Sequence, residues 1–167
     1  MDRNVKLALA VIVIASLPAL AQMKPESKSA SPKAGIADRW ITAWNSHDVE
    51  KVVAVFPDAV MYEDIPFAEV NQGKAELRKF VASELESVPD LKVELESSAV
   101  EGSHGSIQWV FSGTDKGIYK TGKKFKVRGA TILTLKGGKI SRNVDYYDAA
   151  TIMRQVGQLP AENTSAQ

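Results

Sequence analysis

Apolar residues recur at helical spacing at Ile36, Trp40, Ile41 and Trp44. Asn45-Ser46-His47-Asp48 then breaks the run and caps a second short helix carried by Val49, Val52, Val53 and Phe56. Pro57 ends this helical hairpin, and Ala59 to Asp64 reads as a short strand stopped by Ile65-Pro66. On that strand Tyr62 and Asp64 share one side, and Met61 and Glu63 share the other. Asn71-Gln72-Gly73 opens a third helix, with Leu77, Phe80, Val81 and Leu85 along one face until Pro89. From there only strands follow: Leu91 to Val100, Ser106 to Thr114, Lys123 to Leu135 and Lys139 to Tyr147, with turn residues between them. Lys136-Gly137-Gly138-Lys139 has the form of a tight hairpin turn, and Asp148 stands at the N-cap of a closing helix through Val156.

Helices gathered at one end of the chain and a long antiparallel meander at the other describe an α+β domain whose helices cover one face of the sheet. A strongly curved sheet of this kind makes a cone with a pocket inside. Gly113, Gly117 and Gly129 are the residues expected to permit the bending, unless they only mark strand ends.

The first residues fall outside this domain. Arg3 and Lys6 precede an apolar run from Leu7 to Leu17, and Ala19-Leu20-Ala21 supplies the small residues of a cleavage site. Residues 1–21 are therefore expected to be a signal peptide, since the run is shorter than the ~20 residues that span a bilayer. The mature protein is expected to be exported, periplasmic or secreted, with no stable membrane insertion. Residues 22–34 read as a flexible linker, 35–160 as the folded domain and 161–167 as a disordered tail.

Removing the leader takes away two basic residues and one acidic one, which brings the formal charge from +1 to neutral. That balance gives no footprint for nucleic acid or an anionic membrane. The chain has no cysteine, so the domain must be held by its core, and its 2 histidines lie in turns rather than at metal-ligand spacing. No glycine-rich nucleotide loop or serine nucleophile elbow is present. No cofactor and no metal are expected.

The residue that best suits chemistry is Asp145. In the last strand Asn143, Asp145 and Tyr147 share one face, and Arg142, Val144 and Tyr146 share the other. A carboxylate on the pocket side of a strand must be hydrogen-bonded or carry a raised pKa, and the second condition suits proton transfer. The alternative is a hydrogen-bonded structural carboxylate. Tyr62 and Asp64 are expected to reach the same cavity, where mutual repulsion between Asp64 and Asp145 would raise the pKa of the pair. Trp40 and Trp44 are expected in the core, with Trp109 facing the pocket if its strand does.

Four segments carry a family resemblance. They are Trp40-Ile41-Thr42-Ala43-Trp44-Asn45 with His47-Asp48, Trp109-Val110-Phe111-Ser112-Gly113-Thr114, Thr121-Gly122-Lys123-Lys124 leading to Val127-Arg128-Gly129, and Gly138-Lys139-Ile140 leading to Asp145-Tyr146-Tyr147-Asp148. The pattern resembles the SnoaL-like polyketide cyclases of the nuclear transport factor 2-like superfamily. That resemblance implies the cone fold and an aspartate acting as acid and base at Asp145; from their own strand positions, Tyr62, Asp64, Trp109, Asn143 and Tyr147 are expected to contact the substrate. It also implies a homodimer through the outer sheet face, near Arg142, Val144 and Tyr146. Family members commonly carry a histidine where Asp115 stands, so a site dependent on it would be altered.

Tyr62-Glu63-Asp64 also looks like limonene-epoxide hydrolase, yet Phe111-Ser112-Gly113 stands where that family has an Arg-x-Asp pair. The expected function is binding of a small, largely apolar molecule, with isomerisation or cyclisation through Asp145. The rival expectations are a non-catalytic binding or protein-interaction module and, third, an epoxide-hydrolase-like enzyme.

Overall fold

The computed structural model describes residues 35–161. The signal peptide expected at 1–21, the linker expected at 22–34 and all but the first residue of the tail expected at 161–167 lie outside the described residues.

Helix α1 (Ile36–Asn45) buries Ile36, Ala37, Trp40, Ala43 and Trp44 along one stripe, as its apolar spacing dictates. Asp48 caps α2 (Val49–Ala54) by accepting from the Glu50 and Lys51 amides. Strand β1 (Met61–Asp64) is followed by β2 (Glu69–Gln72) and α3 (Gly73–Ser87). Four longer strands complete the sheet: β3 (Lys92–Glu101), β4 (His104–Thr114), β5 (Lys124–Lys136) and β6 (Lys139–Tyr147). Helix α4 (Ala149–Val156) closes the domain, capped by the Asp148 carboxylate on the Ala150 amide at 2.9 Å. No helix among the described residues is long and apolar enough to cross a membrane.

The sheet order is β2-β1-β6-β5-β4-β3. Strands β3 to β6 form the expected antiparallel meander, but two features depart from the sequence reading. Strand β2 has no sequence signal, because Glu69-Val70-Asn71-Gln72 lacks apolar alternation and its last two residues read as the start of the helix. More consequentially, β1 joins β6 in parallel, with Tyr62 opposite Asn143 and Asp64 opposite Asp145. The register settles the facing of β1: Tyr62 and Asp64 are buried, while Met61 is exposed.

The core lies between the inner sheet face and the helices, where Ile107, Trp109, Phe125, Val127 and Leu133 meet Trp40, Trp44, Phe56, Leu77, Phe80 and Val81. Burying each large side chain contributes roughly 1.5–3 kcal/mol. The β5–β6 turn is the expected one, with φ +59 at Gly137 and +74 at Gly138, angles that glycine adopts without steric cost. Gly129, one of the glycines expected to permit bending, also makes room for a neighbour. A Cβ there would come within 2.2 Å of the Trp109 indole, so the missing side chain admits the ring. Irregular register falls between Leu95 and Ser97 on β3 and between Thr134 and Leu135 on β5. On the outer face Arg142 and Tyr146 are exposed, whereas Val144 is buried in the middle of the sheet between Glu63 and Ile132.

Candidate functional site

Alternation along β6 turns Asn143, Asp145 and Tyr147 toward the helices, and the parallel register of β1 brings Tyr62 and Asp64 beside them. Antiparallel pairing with β5 sets Thr131 opposite Asp145. These strands form the polar end of a cavity of about 50 Å³, which Tyr62, Asp64, Glu84, Asp145 and Tyr147 line. Its remaining wall is apolar, with Trp40, Trp44, Phe80, Trp109 and Phe111 prominent. A volume this far below the ~300–1,000 Å³ of drug-sized ligand sites suits a molecule of few heavy atoms.

Asp145 is 6% exposed and carries three donors. Its Oδ1 accepts from the Thr131 hydroxyl at 2.5 Å and the Asn143 amide at 2.9 Å, and its Oδ2 accepts from the Tyr62 hydroxyl. Thr131 is itself held by the Trp109 indole, whose Nε1–H donates to Oγ1 at 2.8 Å. Indole, hydroxyl and carboxylate thus form one directed chain. Burial pushes the Asp145 carboxyl up to about 6, against the downward pull of Thr131, Tyr62 and Asn143. Turning the Asn143 amide toward Asp145 leaves its Oδ1 buried and unpaired, at a cost of about 1–3 kcal/mol.

Asp64 sits on the adjacent strand. Its Oδ2 accepts from the Tyr147 hydroxyl at 2.9 Å and its Oδ1 from the Phe67 amide at 3.3 Å. Burial raises its pKa, and these two donors temper the rise. Both phenols are held protonated: burial, together with Asp145 for Tyr62 and Asp64 for Tyr147, raises each pKa well above the usual tyrosine range.

Five of the six residues expected at the site therefore line one cavity, and Asn143, fully buried, lies behind Asp145 as its hydrogen-bond donor. Trp40 and Trp44 belong to the core as expected and also wall the cavity. Two residues escaped the sequence reading. Glu84 on α3 follows Phe80 by four residues and Val81 by three, which puts it on the buried face of the helix, and a charged residue in that stripe was the available signal. Its carboxyl has no hydrogen-bond or ion-pair partner among the described residues. Burial and the charges of Asp64, Glu69 and Asp145 push it up to about 7. Thr131 was legible in the same way, since it continues the inward series Phe125, Val127, Gly129 on β5.

The remaining polar candidates are structural. Asp115 is fully buried and accepts from the Tyr119, Lys120 and Thr121 amides and the Thr121 hydroxyl, which shape the β4–β5 loop. His47 is exposed at the α1–α2 turn, its Nε2 2.8 Å from the Leu91 carbonyl oxygen. No cluster of three or more His, Cys, Asp or Glu residues able to hold a metal exists among the described residues.

The geometry agrees with comparisons to known proteins. No curated protein matches the chain significantly. Among solved structures it is similar to a hypothetical protein with a ketosteroid isomerase-like fold from Catenulispora acidiphila in complex with trimethylamine. The two share 24% identity at a TM-score of 0.68, over 73% of this chain and 92% of that one. It is also similar to TsrD from Streptomyces laurentii, at 23% identity and TM-score 0.65 over 74% and 93% of the two chains. A nuclear transport factor 2-like protein from Burkholderia thailandensis aligns at 22% identity and TM-score 0.63, over 75% and 95%. These likenesses establish the fold. The model of the SnoaL-like polyketide cyclase family matches residues 34–156, which cover the two strands that bear Asp64 and Asp145 and the helix that bears Glu84, and the chain belongs to that family.

Proposed function

We propose that the protein binds a small, largely apolar carbonyl compound in the cavity and that Asp145 takes and returns a proton at the carbon beside the carbonyl, giving isomerisation or cyclisation. The observation that carries this reading is the state of Asp145: a buried carboxylate at the polar end of an aromatic cavity, with a pKa raised to about 6 and three side-chain donors fixing its orientation. A base of that strength is largely ionised at neutral pH and still accepts a proton readily. Its Oδ2 receives one hydrogen bond, from Tyr62, and keeps lone-pair capacity for a proton drawn from substrate.

The experiment is exchange of the α-proton of small ketones in deuterium oxide, followed by NMR. The wild-type protein is expected to accelerate deuteration, and Asp145→Asn to lose about 10²–10⁴-fold of that rate while remaining folded. Equal exchange in the two proteins would reject the catalytic role. A non-catalytic binding module is the second reading, favoured by the number of hydrogen bonds that already occupy Asp145. An epoxide-hydrolase-like reaction has less support, since Phe111 lines the cavity in a segment where a charged pair would be needed to activate water.

Two further proposals concern setting. Cleavage after Ala21 would release an exported chain beginning at Gln22, which N-terminal sequencing of the secreted protein tests. Ile132 and Tyr146, both about half exposed on the outer sheet face, would meet their counterparts in a homodimer. A monomeric elution volume at micromolar concentration would refute that contact.

A further inference from the structure

Glu84 is the one carboxyl of the cavity that no donor satisfies. Asp145 holds three hydrogen bonds and Asp64 holds two, whereas the Glu84 side chain lines the same space with no partner among the described residues. Nothing basic offsets it, because no lysine, arginine or histidine lines the cavity. The groups facing it are Asp64 and Tyr62 from β1, Glu69 from β2, and Asp145 and Tyr147 from β6, all acidic or phenolic. An unpaired carboxyl in such surroundings must stay protonated or meet a cation. The same cavity is lined by the ring systems of Trp40, Trp44 and Trp109, and indole faces attract cations.

We propose that the cavity selects a small molecule bearing a protonated amine, with the Glu84 carboxylate as its counter-ion and the indoles of Trp40, Trp44 and Trp109 as its walls. This deepens the reading of the cavity as a small-molecule site by naming a second functional group on the ligand. It assigns Glu84 the role of a specificity residue. Binding a cation requires Glu84 to ionise, so complex formation releases a proton to the medium. Since Glu84 is protonated up to about pH 7 in the free protein, affinity for the cation rises with pH through that range.

The test uses tert-butylamine hydrochloride and its neutral isostere tert-butanol, titrated calorimetrically into the whole protein at pH 6 and pH 8. The amine stays protonated throughout. The expected result is a cation bound at least tenfold more tightly than the alcohol at pH 8, with its affinity rising roughly tenfold from pH 6 to pH 8 as one proton is displaced. Tert-butanol should show no such dependence. Glu84→Gln keeps the shape of the side chain and is expected to abolish both the preference and its rise above pH 7, while a cooperative urea transition verifies that the variant is folded. Equal affinity for the two probes, no binding of either, or a preference that survives in Glu84→Gln would overturn the proposal. Neither probe contains a carbonyl, so this outcome is independent of the deuterium-exchange result for Asp145. Cation binding without exchange would leave an amine-binding module, and exchange without cation preference would leave a neutral-substrate isomerase.

Discussion

Asp115 and Asp145 are both buried aspartates, yet the domain holds them in opposite states. Asp115, in the β4–β5 loop, is fully buried, and its burial opposes ionisation. The Thr121, Tyr119 and Lys120 amides together with the Thr121 hydroxyl outweigh that penalty and hold its carboxyl below the usual range. Asp145 keeps 6% exposure and three side-chain donors, but burial wins there and its carboxyl rises to about 6. The number of hydrogen bonds is nearly the same. What differs is depth and the kind of donor: Asp115 lies shallow under the β4–β5 loop, so fixed backbone dipoles overcome the penalty on its charge, whereas Asp145 lies deep in the core, where three neutral side chains do not offset that penalty and Asp64 adds to the rise. Low exposure alone therefore does not decide on which side of the usual range a carboxyl titrates; depth and donors do.

The largest effect that would sharpen this contrast is on stability. Between about pH 4 and 6 the native Asp145 keeps a proton that the unfolded chain has released, so the native state binds more protons and stability falls as pH rises through that window. The cost is fully present above pH 6. Asp145→Asn is expected to relieve it, raising the unfolding free energy at pH 8 by up to about 3 kcal/mol while leaving stability at pH 4 nearly unchanged. Urea midpoints at the two pH values measure this, and a variant less stable at pH 8 would break the comparison. Asp115 should behave in the opposite sense. Its contribution is present above the unfolded pKa and is lost as pH falls through the lowered native value. Asp115→Ala, which orphans three loop amides, is expected to cost about 2 kcal/mol at neutral pH and to leave the cavity intact. The smallest change comes from Thr131→Val, which removes a donor from Asp145 and the acceptor of the Trp109 indole. It is expected to cost about 1 kcal/mol and to move the Asp145 titration, followed by carbon NMR, above its wild-type value.

Much of this arrangement could be read from the chain. The helices and the four long strands announce themselves through period and turn chemistry, and alternation on β6 alone set Asn143, Asp145 and Tyr147 on one face. What could not be read is pairing at a distance. Nothing local in Met61 to Asp64 says that the strand lies parallel to β6, because its register depends on how the whole core closes. The polar end of the cavity depends on that register, since a shift of one residue would turn Tyr62 and Asp64 to the outside. Glu84 and Thr131 were missed for a different reason. Their positions follow from periodicity, but each is a polar residue in an apolar series, and a buried face is marked by its apolar members.

That parallel pairing also has a kinetic consequence. Tyr62 and Asp145 are separated by 83 positions in sequence, and their contact requires closure of a loop that contains α3 and most of the sheet. Loop-closure entropy must be met before such distant partners reward it, so the β1–β6 zipper is expected to form late in folding. Tyr62, Asp64 and Asp145 would then be among the last to meet, and a chain interrupted before β6 would have helices and hairpins but no polar end to its cavity.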